Sequence, residues 1–131
     1  MCSSDLQAAE YLRRHDRYQG ELRREPGIKI TTHDVFKARE NGDKAAAAII
    51  DLAVEYWGMA AANLVSLFNP EKIIFGGGVF GPAVGLLPAI RQEAEKWAQP
   101  ISIRQVSFEP SALAGDAGVY GAGFLAMKQL G

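Results

Sequence analysis

Two glycine clusters are the residues most able to do chemistry in this sequence. Gly76-Gly77-Gly78 directly follows the apolar run Lys72–Phe75, and Gly115-Asp116-Ala117-Gly118-Val119-Tyr120-Gly121-Ala122-Gly123 carries four glycines in nine residues. Glycine permits positive φ, and its missing side chain lets a backbone approach a ligand closely. Amides exposed at such a corner can face a ribose or a phosphate. The same triplet also serves as a plain tight turn into a helix. Spacing removes two familiar phosphate grips. Residues 76–81 read G-G-G-V-F-G, which is not the dinucleotide fingerprint, and no Gly-Lys-Ser/Thr follows to make a Walker loop. In the second cluster each glycine costs about 1 kcal/mol against alanine in a helix interior. Close packing on a neighbour or contact with a ligand must compensate. Asp116 is placed to cap the helix that follows, a structural role in itself.

The remaining candidates are weaker. His15 and His33 stand 18 residues apart with no acidic or thiol cluster in ligand spacing, so no metal site is expected. Trp57 and Trp97 fall at core-like helix positions and read as packing residues. The charges over Arg13–Arg17 and Arg23–Glu25 read as solvated helix faces.

The elements that must position the glycines follow from periodicity and punctuation. Leu6–Arg24 reads as a helix, broken near Gly20, with a turn at Glu25-Pro26-Gly27 and an extended stretch at Ile28–Ile30. Thr31-Thr32-His33-Asp34 has the form of a capping box for a short helix through Glu40. Asn41-Gly42 ends that helix and Asp43 caps the next. Lys44–Phe68 is the strongest helix, with a stripe of Ile49, Leu52, Ala53, Tyr56, Met59, Ala60, Leu64 and Leu67. Ala60–Ala62 is small enough to admit another backbone, and Asn69-Pro70 stops the helix. Lys72–Phe75 reads as a buried strand, Pro82–Ala98 as a helix on Leu86, Leu87, Ile90, Ala94 and Trp97, and Ile101–Phe108 as a second strand. Asp116 opens a last helix through Leu130. Strand, helix, strand predicts a parallel pair with a right-handed crossover. Both glycine corners then follow strand ends, at the sheet edge where open α/β folds bind ligands.

Composition bounds the function classes. A chain of 131 residues, 48% hydrophobic and 22% charged, suits one soluble globular domain. With 14 basic against 15 acidic side chains there is no basic stripe, so direct nucleic-acid contact is not expected. Cys2 is the only cysteine, which excludes an intramolecular disulfide and fits a reducing cytoplasm. No apolar run approaches the roughly 20 residues of a membrane helix, and Met1–Leu6 has no secretory h-region. Cys2-Ser3-Ser4-Asp5-Leu6 is a peptide that translated sequencing-adapter DNA produces, so Met1–Leu6 is expected to be a non-native or disordered start.

Three strings carry a family resemblance, in the right order from about Ile28 onward. Ala62–Val79 (ANLVSLFNPEKIIFGGGV) resembles the ROK pattern (repressors, open reading frames and sugar kinases), in which a helix ends in ANLVNLLNPE and a strand runs into GGG. Ala112–Ala122 (ALAGDAGVYGA) resembles the family's C-terminal LGDDAGLIGAA, and Thr32–Asp43 its TAxDVFEAAxxGD segment. The resemblance implies an α/β fold, the C-terminal lobe of an actin-like ATPase (ribonuclease H-like), with a small mainly parallel sheet flanked by helices. Residues 7–131 would form that lobe without its N-terminal counterpart. It implies that Gly76, Gly77 and Gly78 lie by the adenosine of ATP and that Gly115, Asp116 and Gly118 approach the nucleotide side. The implied activity is Mg²⁺-ATP-dependent phosphorylation of a hexose or amino-sugar, as in glucokinases. The alternative within the family is the sugar-sensing domain of a transcriptional repressor. The family's Asp-x-Gly-Gly-Thr phosphate loop, its Asn-Asp catalytic base and its Cys-x-Cys-Gly zinc motif do not occur in these residues. Glu10 stands near where the sugar-binding glutamate segment would end, but its flanks do not match and the role is not transferred. The chain by itself is therefore expected to be inactive. Helix faces that would meet the N-terminal lobe are expected to stay exposed and to favour a homodimer or aggregation.

Overall fold

Several helix starts in this chain are set by a side chain one residue ahead of the helix. Thr31 is the N-cap of α2 (Thr32–Glu40): its hydroxyl accepts from the Asp34 amide, and the Asp34 carboxylate accepts from the Thr31 amide at 2.9 Å. Asp43 does the same for α3 (Lys44–Phe68), where its Oδ1 accepts from the amides of Ala45 and Ala46 at 2.8 and 3.0 Å. Between them Gly42, at φ +86°, turns the chain while its neighbours close on the carbonyls of α2. The computed structural model describes residues 4–15, 17–23 and 29–130. It forms two compact units, Met1–Trp57 and Gly58–Gly131, whose boundary falls inside α3.

In the first unit α1 (Ser4–Arg14) precedes α2 and the first part of α3. Its buried side chains include Ala8, Leu22, Val35, Phe36, Ala38, Ala45, Ala46, Ile49, Ile50 and Ala53. The helix expected over Leu6–Arg24 stops at Arg14. Tertiary hydrogen bonds take over there: the Tyr18 phenol donates to Asp43 Oδ2 at 2.5 Å and accepts from the Leu22 amide at 3.1 Å. The Glu21 amide donates to the same Asp43 oxygen at 3.1 Å. α1 begins at Ser4, inside the stretch expected to lack native structure, while Met1–Ser3 lie outside the described residues. So do Arg24, the turn Glu25-Pro26-Gly27 and Ile28.

The second unit holds the sheet. Strands β1 (Lys72–Phe75) and β2 (Ser107–Pro110) pair in parallel, in the register Lys72↔Ser107, Ile73↔Phe108, Ile74↔Glu109 and Phe75↔Pro110. Helix α4 (Leu87–Trp97), entered through a 3₁₀ turn at Pro82–Leu86, and the short α5 (Pro100–Gln105) form the connection. The core joins Ala61, Ala62 and Val65 of α3 to Ala94, Ala98, Ile103 and Val106, with Ile73, Phe75 and Phe108 of the strands packed against it. α3 and α4 approach most closely at Gly58, where a Cβ would stand 2.6 Å from Glu93 Cβ and 3.0 Å from the Ala94 amide nitrogen. A 3₁₀ turn at Ala114–Asp116 leads into α6 (Ala117–Leu130).

Several sequence expectations are corrected. Ile101–Phe108 is not one strand. Pro100 suits a first helical position, Gln99 Oε1 accepts from the amides of Ile101 and Ser102 at 2.9 and 2.8 Å, and Arg91 donates to the carbonyls of Ile103 and Val106 at 3.1 and 2.6 Å. Caps at both ends make a helix of a sequence that alternates like a strand, and β2 begins only at Ser107. The stripe on α3 is displaced: the small residues Ala45, Ala46, Ala53, Gly58, Ala61 and Ala62 face inward with Ile49, Ile50 and Val65, while Leu52, Tyr56, Ala60, Leu64 and Leu67 are exposed. Close packing selected the small side chains rather than the large ones. β1 is covered on one face only, so Ile74 is 62% exposed and the strand is half-buried. Trp97, at 54% exposure, is a surface residue whose indole donates to Glu93 at 3.0 Å. α3 does reach the length and apolarity of a membrane span. Its buried alanine-rich face and the mid-helix charges Asp51 and Glu55 are those of a packed helix, since an acidic side chain costs about 2.5–3.5 kcal/mol at a bilayer centre.

Candidate functional site

Parallel pairing brings the two glycine corners to one edge of the sheet. Gly76 follows the last residue of β1, and Ser111 follows the last residue of β2. The Ser111 amide donates to the Phe75 carbonyl at 2.7 Å, which adds one rung beyond the ladder. From there the chain turns over Ala114–Asp116, and this turn lies beside the 3₁₀ turn Gly78–Phe80. The two corners expected from sequence are therefore neighbours at the carboxyl ends of the strands. Below them Phe75 packs on Phe80 and Phe108, ring centroids 5.1 and 5.3 Å apart, and Arg91 stacks over Phe108 at 5.6 Å. Phe80 thus fastens the first corner to the sheet.

The three glycines of the first corner differ in what requires them. Gly77 has φ +90°, a left-handed conformation that side chains oppose. Gly76 has no such φ, but a Cβ there would meet Ser111 Cβ at 3.0 Å. Gly78 has neither constraint, and a Cβ on it would enter open space. Gly115 and Gly118 resemble Gly78 in both respects, as do Gly121 and Gly123 further along α6. So the rim is bordered by positions without side chains where nothing inside the described chain needs the room.

Asp116 closes the second corner, its amide donating to the Leu113 carbonyl at 2.9 Å. It stands directly before α6 as expected. Its carboxylate nevertheless takes no hydrogen bond from that helix among the described residues, and it is exposed. The helix itself is bare: every side chain from Gly118 to Gln129 is exposed, Val119 to 75% and Met127 to 69%. Ser111 is a rim residue that motif reading missed. Its Oγ accepts from the Leu113 amide at 3.2 Å, a local turn that the string Pro110-Ser111-Ala112-Leu113 is suited to make.

Elsewhere several polar groups are paired within the fold. Glu10 accepts from both Arg13 and Arg14, and these bonds hold its carboxyl below the usual value. His15 stacks on Tyr11 at 4.1 Å and its Nδ1 lies 2.9 Å from the Tyr11 carbonyl. Lys72 pairs across the sheet with Glu109 at 3.1 Å, and Ser107 together with Lys72 lowers the Glu109 carboxyl. Among the described residues no group of three His, Cys, Asp or Glu side chains is placed to hold a metal ion.

Comparison with known proteins gives a consistent picture. The ROK family profile matches residues 9–129. A glucokinase of Halalkalibacterium halodurans is 40% identical over 100 residues, covering 76% of this chain and 30% of the glucokinase. The N-acetylglucosamine regulator NagC of Escherichia coli is 35% identical over 72 residues, 55% of this chain and 18% of the regulator. Among solved structures, a protein of Cytophaga hutchinsonii classed as a sugar kinase superposes with a TM-score of 0.75 over 95% of this chain and 40% of its own, at 19% identity. The chain thus spans less than a third of the length of the curated relatives named here, and its helices and small parallel sheet are a portion of an α/β actin-like fold.

Proposed function

We propose that this chain, which belongs to the ROK family, supplies the adenosine-side wall of the ATP site in a sugar kinase that phosphorylates a hexose or amino-sugar. The observation that carries the reading is that the two glycine corners are neighbours at one strand-end rim, where Gly78, Gly115 and Gly118 have neither a positive φ nor, among the described residues, a neighbour that a Cβ would meet. The glycine backbone at 76–78, 115 and 118 suits close approach by a flat nucleoside. The exposed Asp116 carboxylate refines this. A carboxylate accepts hydrogen bonds and repels phosphate oxygens, so it favours ribose hydroxyls or an amino group over the triphosphate.

Phosphoryl transfer depends on positioning, on charge neutralisation by Mg²⁺ and on a base that takes the hydroxyl proton. None of the described residues is assigned to the metal or the base. This chain holds and orients the nucleoside end, and the reacting end belongs to segments resembling the remainder of the glucokinase relatives. The repressor reading shares the same rim. It is the less supported, because the regulator matches a shorter stretch than the glucokinase does.

Gly78→Ala tests the site directly. Stability to urea is expected to stay within about 0.5 kcal/mol or to rise slightly, while affinity for ADP falls about fivefold or more. Unchanged ADP affinity would overturn the reading. ATP-dependent glucose phosphorylation by the 131-residue chain is expected to stay at background, and measurable turnover would contradict the assignment of the reacting end to other segments.

A further inference from the structure

We propose that Ser111 is a positioning residue: set against Gly76, it fixes the separation of the two glycine corners. The inference rests on the nucleotide reading above and adds a residue that neither glycine motif contains. Gly76 needs no positive φ, so its lack of a side chain is explained by the neighbouring strand end alone. A Cβ at 76 would stand 3.0 Å from Ser111 Cβ and 3.5 Å from its Oγ, so Ser111 would have to yield by a few tenths of an ångström.

Ser111 is poorly placed to yield. Its amide is held by the Phe75 carbonyl at 2.7 Å, and its hydroxyl holds the Leu113 amide at 3.2 Å. The Leu113 carbonyl in turn holds the Asp116 amide at 2.9 Å. On the other corner the Gly77 carbonyl holds the Phe80 amide at 3.0 Å, and the 78–80 turn lies beside the 114–116 turn. Gly76, Ser111, Leu113, Asp116 and the 78–80 turn therefore close a ring. A methyl group inserted between Gly76 and Ser111 displaces the second corner from the first and moves Asp116 with it.

The test is a rescue. In the purified chain, Gly76→Ala, Ser111→Gly and the double variant are compared by amide hydrogen exchange at Ser111 and Leu113 and by ADP titration. Gly76→Ala is expected to speed exchange of the Ser111 amide about tenfold and to weaken ADP binding severalfold. Removing the Ser111 side chain vacates the space, so the double variant regains slow exchange at 111 and most of the affinity. A Gly76→Ala protein with unaltered exchange and affinity would overturn the spacer role, and so would a loss that Ser111→Gly does not repair. Should Gly76→Ala fail to fold, recovery of folding in the double variant reports the same contact, and a double variant that also fails to fold overturns it. If the chain binds no ADP while exchange follows the rescue pattern, the spacer stands and the nucleotide reading falls. If ADP binds and Gly76→Ala changes nothing, the reverse holds.

Discussion

Gly42-Asp43 and Gly115-Asp116 are the same dipeptide in the same place, one step ahead of a helix, and they behave oppositely. Gly42 takes a left-handed φ of +86°, and Asp43 gathers the amides of Ala45, Ala46 and Glu21 and the phenol of Tyr18 on one carboxylate. Gly115 has neither a positive φ nor a neighbour within reach of a Cβ, and the Asp116 carboxylate is exposed. The first pair is consumed in building the fold. The second takes no such part in the fold among the described residues. A Gly-Asp ahead of a helix thus identifies a helix start, while its role depends on what the rest of the chain brings to the carboxylate.

The largest expected effect breaks that comparison in the first unit. Asp43→Ala removes a helix cap and leaves the Tyr18 phenol and the Glu21 amide without their acceptor, so urea unfolding should show a loss of about 2–3 kcal/mol. Asp116→Ala should change stability by less than about 0.5 kcal/mol. Equal losses at the two aspartates would erase the distinction. Gly20 belongs to the same arrangement, because a Cβ there would stand 2.2 Å from both Asp43 Oδ2 and the Tyr18 hydroxyl. A smaller effect comes with pH. Burial, reinforced by the hydrogen bond to Asp43, pushes the Tyr18 phenol up to about 12. Its unfolded value is about 10, so its contribution is complete below that pH and disappears as pH rises toward 12. Stability should fall over this interval in the native chain, and this component should vanish in Tyr18→Phe. Burial alone would raise the Asp43 carboxyl, but the Tyr18 hydroxyl and the amides of Ala46, Glu21 and Ala45 outweigh it and hold it below the ordinary value. Its contribution is therefore present above about pH 4 and lost on acidification.

Much of the local chemistry that decides structure was readable in the sequence, although the Gln99 cap and Pro100 that start α5 lay inside a segment read as the end of a helix and the start of a strand. The limits of α3 and β1, the capping box at Thr31 and Asp34, the parallel strand pair and the stop at Asn69, which takes φ +43°, all follow from neighbouring residues. Both glycine corners were found by composition, and their contact followed from strand order. What escaped depends on partners distant in sequence. Arg91 fixes α5 from another helix, Tyr18 ends α1 by reaching Asp43, and the inward face of α3 is chosen by how near α4 comes at Gly58. Ser111 was invisible for the same reason, because only the strand register sets it against Gly76.

The central claim is that the glycine rim meets a nucleoside while the Asp43 cap does not. Titrating the ¹⁵N-labelled chain with ADP and following backbone amide shifts compares the two directly. The amides of Gly76–Gly78 and Gly115–Gly118 should move in a saturable way while those of Ala45 and Ala46 stay fixed. Shifts confined to the Asp43 region, or none at either glycine corner at saturating ADP, would contradict the account.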